Sequence, residues 1–527
     1  MAEKNRESQR EEKKSDAVLL LNKGKRGLGR LIFGRTTMVL ALLAVQTGLL
    51  FWGFIRLGEY LVYGGSLLLS LAVVLVLVNK PGSPAIKITW IILIMLAPVF
   101  ALPLYLFVDL ELGHRLARNR LAGIQRQTAS LLPPPDESLR REAPHLAGLG
   151  EYVSRSGGYT FCRDSGAAYL PSGEAFFAEA LARLEEAERF IFLEYFIVEE
   201  GYMWGRILSV LERKARAGVE VRLLYDGTCA VGRLPYQYPQ KLESLGIRCK
   251  MYAPLRPLVS THYNNRDHRK ILVVDGKYAF TGGINLADEY INRRSLHGHW
   301  KDTAVLLTGR AVRGFTLLFL QMWNVSEAQE MDYLPYLDTS GPVEAEGWVL
   351  PYGDIPFDRE RVGELVYMDI LNRAVDYVHI TTPYLIIGSE LAAALTFAAK
   401  RGVDVKLILP GEPDKRTVFA VSRSYYRELL EGGVEIYEYT PGFIHAKTFA
   451  SDGETAVVGS INLDYRSLYH HFECAALLYR CPAVGQVEED FQKTLTQCSP
   501  VTIEDCKRDR PLRRFTGWLL RPLAPLL

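Results

Sequence analysis

The sequence predicts an α/β fold of two repeated α/β/α half-domains around a pseudo-twofold axis, preceded by N-terminal membrane helices. Three observations carry this prediction. One motif occurs twice with the same internal spacing, at 268–285 and at 445–462. Helix-like and strand-like patterns follow one another in the same order in both halves. Three long apolar runs without charge lie near the N-terminus.

The length of 527 residues allows two or three domains. Shifts in composition divide the chain into six predicted segments. They are a basic polar tail at 1–35, a membrane region at 36–108, a linker at 109–150, a first half at 151–335, a second half at 345–500 and a basic amphipathic tail at 501–527.

The membrane region contains the apolar runs 36–55, 60–78 and 88–108. Each approaches the roughly 20 residues that a helix needs to cross a bilayer. A buried helix of a soluble protein seldom lacks charge over such a length, and here this occurs three times. We therefore expect a multi-pass protein of the cell membrane.

The sequence leaves the topology of this region open. Basic residues flank the region on both sides, and both clusters favour the cytoplasmic side; they are Lys23, Lys25, Arg26, Arg30 and Arg35 before it, and Arg115, Arg118 and Arg120 after it. Three crossings would separate the clusters, so either one run does not cross or one cluster lies outside. Pro98 and Pro103 favour a kinked, re-entrant or interfacial third run. We expect the catalytic domain on the cytoplasmic side.

Charge and cysteine usage exclude several classes of protein. The net charge is only +2, which argues against a nucleic-acid partner. The seven cysteines include no CxxC pair, which predicts reduced thiols and no zinc site, with a Cys498–Cys506 pair as the alternative. The basic, apolar tail at 507–527 favours either a segment on an anionic membrane surface or a helix packed on the domain.

The repeat extends beyond the motif. In the first half we predict helices at 174–188 and 203–217 and strands at 190–198 and 219–225, with a later strand at 303–307 and a helix at 310–323. In the second half we predict helices at 361–375, 389–400 and 417–430 and strands at 378–382, 403–409 and 434–439. The segments AGVEVRLLYDG and RGVDVKLILPG align between the halves. Whole α/β units are therefore duplicated.

Each motif places a histidine two residues before a lysine and an asparagine near its end. The residues are His268, Lys270 and Asn285 in the first copy and His445, Lys447 and Asn462 in the second. On a strand, residues two apart point to the same face, so an imidazole lies beside an ammonium group. Two copies together form a cationic, donor-rich cup for a phosphate. One histidine can attack phosphorus while the other protonates the leaving oxygen.

Two pairs of acidic residues complete the candidate site. Asp275 and Asp452 belong to the motif, yet each precedes glycine in a dipeptide typical of hairpin turns, so we expect a structural role. Asp302 and Glu473 each begin an apolar strand, where an unpaired acid is unusual. We expect them to hold the second ring nitrogen of the catalytic histidines.

The paired motif resembles that of the phospholipase D superfamily. The whole chain is similar to bacterial cardiolipin synthases, through its apolar N-terminal runs, NNRDHRKI at 264–271, GSINLDYRS at 459–467 and its basic C-terminal tail. One departure is His471, where family members often have asparagine.

The resemblance implies a phosphatidyltransferase. One phosphatidylglycerol would transfer its phosphatidyl group to another, giving cardiolipin and glycerol through a phosphatidyl-histidine intermediate, with no cofactor and no metal. The partners would be phosphatidylglycerol and cardiolipin in the bilayer. The residues do not distinguish the nucleophile from the general acid, and the resemblance favours His268 as nucleophile. The oligomeric state stays open.

Three rival functions are compatible with the sequence. The first is a phospholipase D that hydrolyses its substrate or uses another alcohol. The second is a nuclease of the same superfamily, which the apolar runs and the low net charge oppose. The third is a membrane-tethered scaffold with an inactive site, which the two intact motifs oppose.

Overall fold

The computed structural model describes residues 48, 52, 65–110, 115–134, 136–254, 265–327, 331–337, 342–358 and 360–526. The basic tail 1–35 lies outside these residues, as does the run 36–55 apart from Gly48 and Trp52. The run 60–78 is described from residue 65 onward.

Between residues 65 and 110 the structure has three short helices. These are α1 (Gly65–Asn79), α2 (Pro84–Leu96) and α3 (Pro98–Leu110). They pack around a small apolar cluster that includes Trp90, Ile94 and Tyr105.

The prediction of membrane helices is not supported in this part of the chain. The run 88–108 is divided between α2 and α3 at Ala97, because Pro98 cannot donate a backbone hydrogen bond and starts a new helix. Within the described ranges, no helix combines the length and the apolar character that a bilayer crossing requires.

The segment predicted as a linker contains helices that join the core. They are α4 (Arg115–Thr128), α5 (Glu137–Glu142) and α6 (Pro144–Gly157). Leu121, Ile124, Leu146 and Val153 are buried in the main core of the molecule. The proline run at 133–135 is typical of a linker, but the apolar residues on either side of it have helical spacing, and that spacing decides the structure.

The first half contains a seven-stranded sheet with the order β1-β8-β6-β5-β2-β3-β4. Strands β2, β3 and β4 are parallel, and the strands β5, β6, β8 and β1 are added antiparallel. The bounds are β1 Ala167–Leu170, β2 Phe190–Tyr195, β3 Glu220–Asp226, β4 Arg248–Tyr252, β5 Lys270–Val274, β6 Tyr278–Gly282 and β8 Ala304–Thr308, with β7 His299–Lys301 outside this sheet.

The second half contains an eight-stranded sheet with the order β19-β13-β12-β10-β15-β16-β18-β9. The bounds are β9 Trp348–Asp354, β10 Tyr377–Thr381, β12 Asp404–Pro410, β13 Glu435–Tyr439, β15 Thr448–Ser451, β16 Thr455–Gly459, β18 Glu473–Tyr479 and β19 Cys498–Val501. Short strands β11 Leu385–Ile386, β14 Gly442–Ile444 and β17 Leu463–Asp464 lie outside it. The orders β8-β6-β5-β2-β3-β4 and β18-β16-β15-β10-β12-β13 correspond, so the duplicated sequence has a duplicated topology.

Helices cover the two sheets. In the first half they are α7 (Gly173–Glu186), α8 (Tyr202–Arg216), α9 (Tyr238–Glu243), α10 (Val312–Asn324) and α11 (Leu334–Leu337). In the second half they are α12 (Val362–Arg373), α13 (Ser389–Lys400), α14 (Arg416–Glu431), α15 (Tyr465–Tyr469) and α16 (Pro482–Leu495). Two further helices, α17 (Ile503–Arg508) and α18 (Pro511–Leu520), follow.

The two halves share one hydrophobic core. Helix α10 is buried along almost its whole length and contacts strands of both sheets. The core joins Phe192 and Ile271 of the first sheet to Leu350 and Val457 of the second. The motif strands of the two halves are therefore held in a fixed relation. All seven cysteines are free thiols.

Candidate active site

Backbone hydrogen bonds from the opposite half hold each motif histidine. The amide of His268 donates to the carbonyl oxygen of Phe472 at 2.9 Å, and that of His445 donates to the carbonyl oxygen of Lys301 at 2.7 Å. Strand β14, which ends just before His445, pairs with β7 of the first half. Each motif therefore begins at a contact between the halves, where the two copies meet.

Each motif histidine is paired with a carboxylate from the other half of the chain. Nδ1 of His268 lies 2.8 Å and 3.0 Å from the two carboxylate oxygens of Glu473. Nδ1 of His445 lies 2.6 Å from Oδ2 of Asp302. A carboxylate at Nδ1 fixes the tautomer and leaves Nε2 available for chemistry. Both acids thus occupy the expected kind of position, but each contacts the histidine of the other half.

A second contact distinguishes the two pairs. Ser460 donates to Oε2 of Glu473 through its hydroxyl. The equivalent residue of the first motif is Gly283, where an added Cβ would lie 2.1 Å from Oδ1 of Asp302. The shorter Asp302 therefore requires glycine at this position, whereas the longer Glu473 leaves space for a serine that orients it.

The two lysines lie behind their histidines and are almost fully buried. Nζ of Lys270 donates to the carbonyl oxygen of His268, and Nζ of Lys447 donates to that of His445. Burial lowers the pKa of Lys270 to about 8 and that of Lys447 to about 7. An anionic substrate between them would oppose this shift, so the pair is suited to bind a phosphodiester.

Charged groups of each half change the pKa of the motif histidine in the other half. Burial lowers the pKa of His268 well below its ordinary value, and the charges of Lys270, Lys447 and His445 lower it further. Burial and the charges of Lys447 and Lys270 lower the pKa of His445 in the same way. Burial also raises the pKa of Asp302 to about 7. Both imidazoles are therefore neutral at physiological pH, as a nucleophile must be.

Among the described residues, more aromatic rings lie beside His445 than beside His268. The rings of Trp300, Tyr290 and Phe443 lie 5.3, 5.6 and 6.0 Å from that of His445. The ring of His268 lies 4.9 Å from that of Phe196. These walls restrict water and fix the imidazole planes, which favours transfer of a group over its hydrolysis.

The two motif asparagines differ in their contacts. Asn285 uses Oδ1 to accept from the amide of Ile197 at 3.0 Å and Nδ2 to donate to the hydroxyl of Tyr290 at 2.7 Å. Oδ1 of Asn462 is buried and has no hydrogen-bond partner among the described residues. A phosphate-binding role for both asparagines stays a prediction. Asn285 also fixes the position of Tyr290, whose ring lies beside His445.

Asp275 and Asp452 bind backbone amides at the far ends of their strands. Asp275 accepts from the amides of Glu188, Arg189 and Phe190, each at 2.8 Å. Asp452 accepts from three amides at 375–377, each at 2.9 Å. Strand β5 separates Asp275 from Lys270 by about 16 Å at roughly 3.3 Å per residue. Membership of the catalytic motif therefore does not place these carboxylates at the reacting atoms, and their role is to fix the turns.

We expect Asp275→Ala to destabilise the fold by about 2–4 kcal/mol, because three amides lose a charged acceptor. Residue 275 also has a φ of 54°, which alanine tolerates poorly. Thermal unfolding measures the loss, and turnover per folded molecule at low temperature should be retained. Asp275→Asn, which tolerates this φ and keeps one acceptor, should lose less. Unchanged stability with lost turnover would contradict the structural role.

Lys415 is a site residue that the sequence motifs do not include. It is exposed and directly precedes α14, and its charge lowers the pKa of both His268 and His445. Its ammonium group lies 5.6 Å from the ring centre of Tyr384, and that ring lies 6.5 Å from Phe443, which is beside His445. The adjacent Lys415-Arg416 pair at a helix start is the signal in the sequence that could have found it.

A buried charged network behind His268 also lies outside the predicted site. Arg269 donates through Nε to the carbonyl oxygen of Glu473 at 3.3 Å and lies 3.7 Å from Oε1 of Glu194. Burial raises the pKa of Glu194 well above its ordinary value and that of Asp267 to about 7. The network fixes the backbone that presents Glu473 to His268. The charged run RDHRK at 266–270, next to a strand, is its signal in the sequence.

A family model described as "Cardiolipin synthase, PLD-like domain" matches residues 181–323 and 367–495. The chain is 34% identical over 495 residues to a cardiolipin synthase of Geobacillus kaustophilus, covering 92% of this chain and 97% of that protein. It is 46% identical over 461 residues to an uncharacterized protein of Streptococcus mutans serotype c, covering 86% of this chain and 99% of that protein.

A solved structure supports the fold. The phosphatidylserine synthase of Haemophilus influenzae Rd KW20 superposes with a TM-score of 0.55 at 13% identity, over 72% of this chain and 99% of that one. At this identity the likeness concerns the fold alone. The family match and the extended identity to cardiolipin synthases are more specific. The chain belongs to the cardiolipin synthase family of the phospholipase D superfamily and is a phosphatidyltransferase.

Proposed function

We propose that the protein synthesises cardiolipin from two molecules of phosphatidylglycerol and releases glycerol. The observation that carries the proposal is the pairing of each neutral motif histidine with a buried carboxylate of the other half. A buried lysine lies beside each histidine. Phosphoryl chemistry in two steps requires two such groups with opposite roles.

In the first step, Nε2 of His268 attacks the phosphorus of one phosphatidylglycerol. The bond between phosphorus and the glycerol oxygen breaks, and His445, protonated in the substrate complex, donates its proton to that oxygen. The phosphodiester anion offsets the lysine charges that lower the pKa of His445. Glycerol leaves, and a phosphatidyl group remains on His268.

In the second step, neutral His445 takes a proton from the terminal hydroxyl of a second phosphatidylglycerol. That oxygen attacks phosphorus, and the bond between phosphorus and His268 breaks. Cardiolipin is released, and both histidines return to their starting protonation states. One phosphodiester replaces another, so the reaction is reversible and water is its main competitor.

The test uses purified protein and vesicles of phosphatidylglycerol labelled in the headgroup glycerol. We expect cardiolipin and free glycerol in equal amounts. Phosphatidic acid as the main product would instead indicate a hydrolytic phospholipase D. Added serine or ethanolamine in the lipid product would indicate another acceptor alcohol. Absence of every product, with the protein folded, would refute the proposal.

We expect chelators such as EDTA to leave this activity unchanged. Lys270 and Lys447, together with a protonated histidine, supply the positive charge that the phosphate needs. Turnover before and after dialysis against chelator measures the effect. A loss that added metal restores would show that the charge comes from an ion instead.

We also propose that the protein acts at a membrane surface through both ends of the chain. Helix α18 packs on α14 where Gly517 meets the carbonyl oxygen of Ala420, yet Phe515 and Trp518 on the same helix are 56% and 70% exposed. The hydroxyl of Thr89 in α2 donates to the carbonyl oxygen of Pro522 at 2.6 Å. The apolar helices α1–α3 and the basic tail therefore adjoin, which supports one common lipid-facing surface.

We expect the double change Phe515→Glu and Trp518→Glu to lower binding to anionic vesicles by about tenfold or more, since two large apolar groups lose their lipid contact. Cosedimentation with phosphatidylglycerol vesicles measures the binding. Phe397→Glu provides a matched control, because Phe397 is 57% exposed and belongs to α13, outside α1–α3 and the basic tail. Equal binding of the double variant and the control would contradict the assignment.

A further inference from the structure

His471 is a buried histidine that the proposed reaction does not use. It lies between α15 and β18, and its amide donates to the carbonyl oxygen of Arg466 at 2.8 Å. The residue is only 9% exposed, and within the described ranges neither ring nitrogen has a hydrogen-bond partner. In a buried imidazole at least one ring nitrogen normally forms a hydrogen bond, so we expect a ligand to bind this side chain.

Its neighbours are the nucleophile proposed above and the carboxylate that orients it. The rings of His471 and His268 lie 5.4 Å apart, and Nδ1 of His471 lies 3.8 Å from Oε1 of Glu473. One ligand atom from each of His268, His471 and Glu473 falls within 4.8 Å of the others. Two atoms bonded at tetrahedral angles to one zinc ion at 2.0–2.2 Å lie about 3.3–3.6 Å apart. Side-chain shifts of about 1 Å would therefore close the site.

The donor set selects the kind of ion. Two imidazoles and one carboxylate suit zinc and neighbouring divalent transition metals, whereas magnesium and calcium prefer oxygen ligands. The ammonium groups of Lys270 and Lys447 lie in the same environment, so the affinity should be weaker than that of a structural zinc site. The other catalytic histidine has different surroundings, since aromatic rings enclose the His445–Asp302 pair.

We propose that His268, His471 and Glu473 form an inhibitory site for a divalent transition metal such as zinc. A bound ion would occupy His268 and withdraw the carboxylate that orients it, so that the reaction stops. The ion is a regulator and not a cofactor, and this agrees with the expectation that chelators do not remove activity. The sequence predicts no metal site, because His471 is separated from His268 by about two hundred residues and stands out only as a departure from the family pattern.

The test measures metal binding directly on the full chain, stripped with chelator and purified. Zinc is titrated in competition with a chromophoric chelator, and cobalt(II) is titrated while its visible absorption is recorded. We expect one ion per chain, and we expect His471→Asn to weaken zinc binding by at least tenfold. His470→Asn is the matched control, because His470 is the neighbouring histidine and lies outside the cluster. It should bind as the unaltered protein does.

Inhibition provides the second measurement, and this part rests on the proposed function. Zinc should suppress cardiolipin formation with the same half-saturation as direct binding, and His471→Asn should resist it at least tenfold. Absence of cardiolipin formation with zinc still bound would refute only the function. Equal zinc binding by the unaltered protein and His471→Asn, or no cobalt absorption in the unaltered protein, would overturn the metal site. His471→Gln replaces the asparagine variant if that variant does not fold.

Discussion

The single variants His268→Ala and His445→Ala should each lower the rate of cardiolipin formation by at least about three orders of magnitude. In the proposed cycle one histidine carries the phosphatidyl group and the other moves the proton, so neither can replace the other. The rate of cardiolipin formation from labelled phosphatidylglycerol measures the loss. The double variant should be no worse than the more damaging single variant, because the two residues act as a unit.

The matched control is His379→Ala. Like the motif histidines, His379 is buried and has a carboxylate at Nδ1, with Oε1 of Glu488 at 2.9 Å. We expect its removal to lower stability but to leave turnover per folded molecule intact. Full activity in either motif variant would refute a shared site, and equal losses in the control would show that the effect is one of folding.

The pairing of motifs in one site is the feature that the sequence predicts best. The repeated spacing of histidine and lysine, and the repeated α/β order around it, are enough to imply one shared site. The strand order of the two sheets agrees with this duplication. Local geometry is enough to place each histidine beside its lysine, because residues two apart on a strand lie on the same face independently of the rest of the fold.

The contact of each carboxylate with the histidine of the other half could not be predicted in the same way. Glu473 begins β18 and Asp302 begins the segment leading into β8, and each follows the motif of its own half in sequence. Which histidine each acid contacts depends on how the halves face each other, and that is a property of the shared core. The surroundings of His471 and the position of Lys415 follow from the same packing.

In the N-terminal region, composition and single residues point in different directions. Apolar composition predicts long membrane helices, whereas Pro98, which is expected to interrupt the third run, divides that run into two short helices. In the linker, the proline-rich stretch is a weaker signal than the helical spacing of Leu121 and Ile124, which are buried in the core. Composition over a window is thus a weaker guide than the positions of single residues.

The second large loss of turnover is expected when either carboxylate that contacts a motif histidine is changed. Glu473→Gln and Asp302→Asn should each lower turnover by about 10²–10⁴-fold, because an amide can neither fix the required tautomer nor stabilise the imidazolium. The two variants should nevertheless fail at different steps. Glu473→Gln impairs His268, whereas Asp302→Asn impairs His445.

A substrate with a leaving group that needs no proton separates the steps. With phosphatidyl-p-nitrophenol, attack by the nucleophile releases p-nitrophenolate even when the general acid is impaired. If His268 is the nucleophile, His445→Ala and Asp302→Asn should give a burst of one p-nitrophenolate per chain and then stop. His268→Ala and Glu473→Gln should give no burst.

The grouping of the variants matters more than the identity of the nucleophile. If His445 attacks phosphorus, the two phenotypes change places, yet Glu473 still follows His268 and Asp302 still follows His445. A burst pattern that groups Glu473 with His445 would mean that each acid serves the histidine of its own half. That result would contradict the geometry in which Nδ1 of His268 lies 2.8 Å from Glu473 and Nδ1 of His445 lies 2.6 Å from Asp302. It would also remove the reason why one active site needs both halves of the chain.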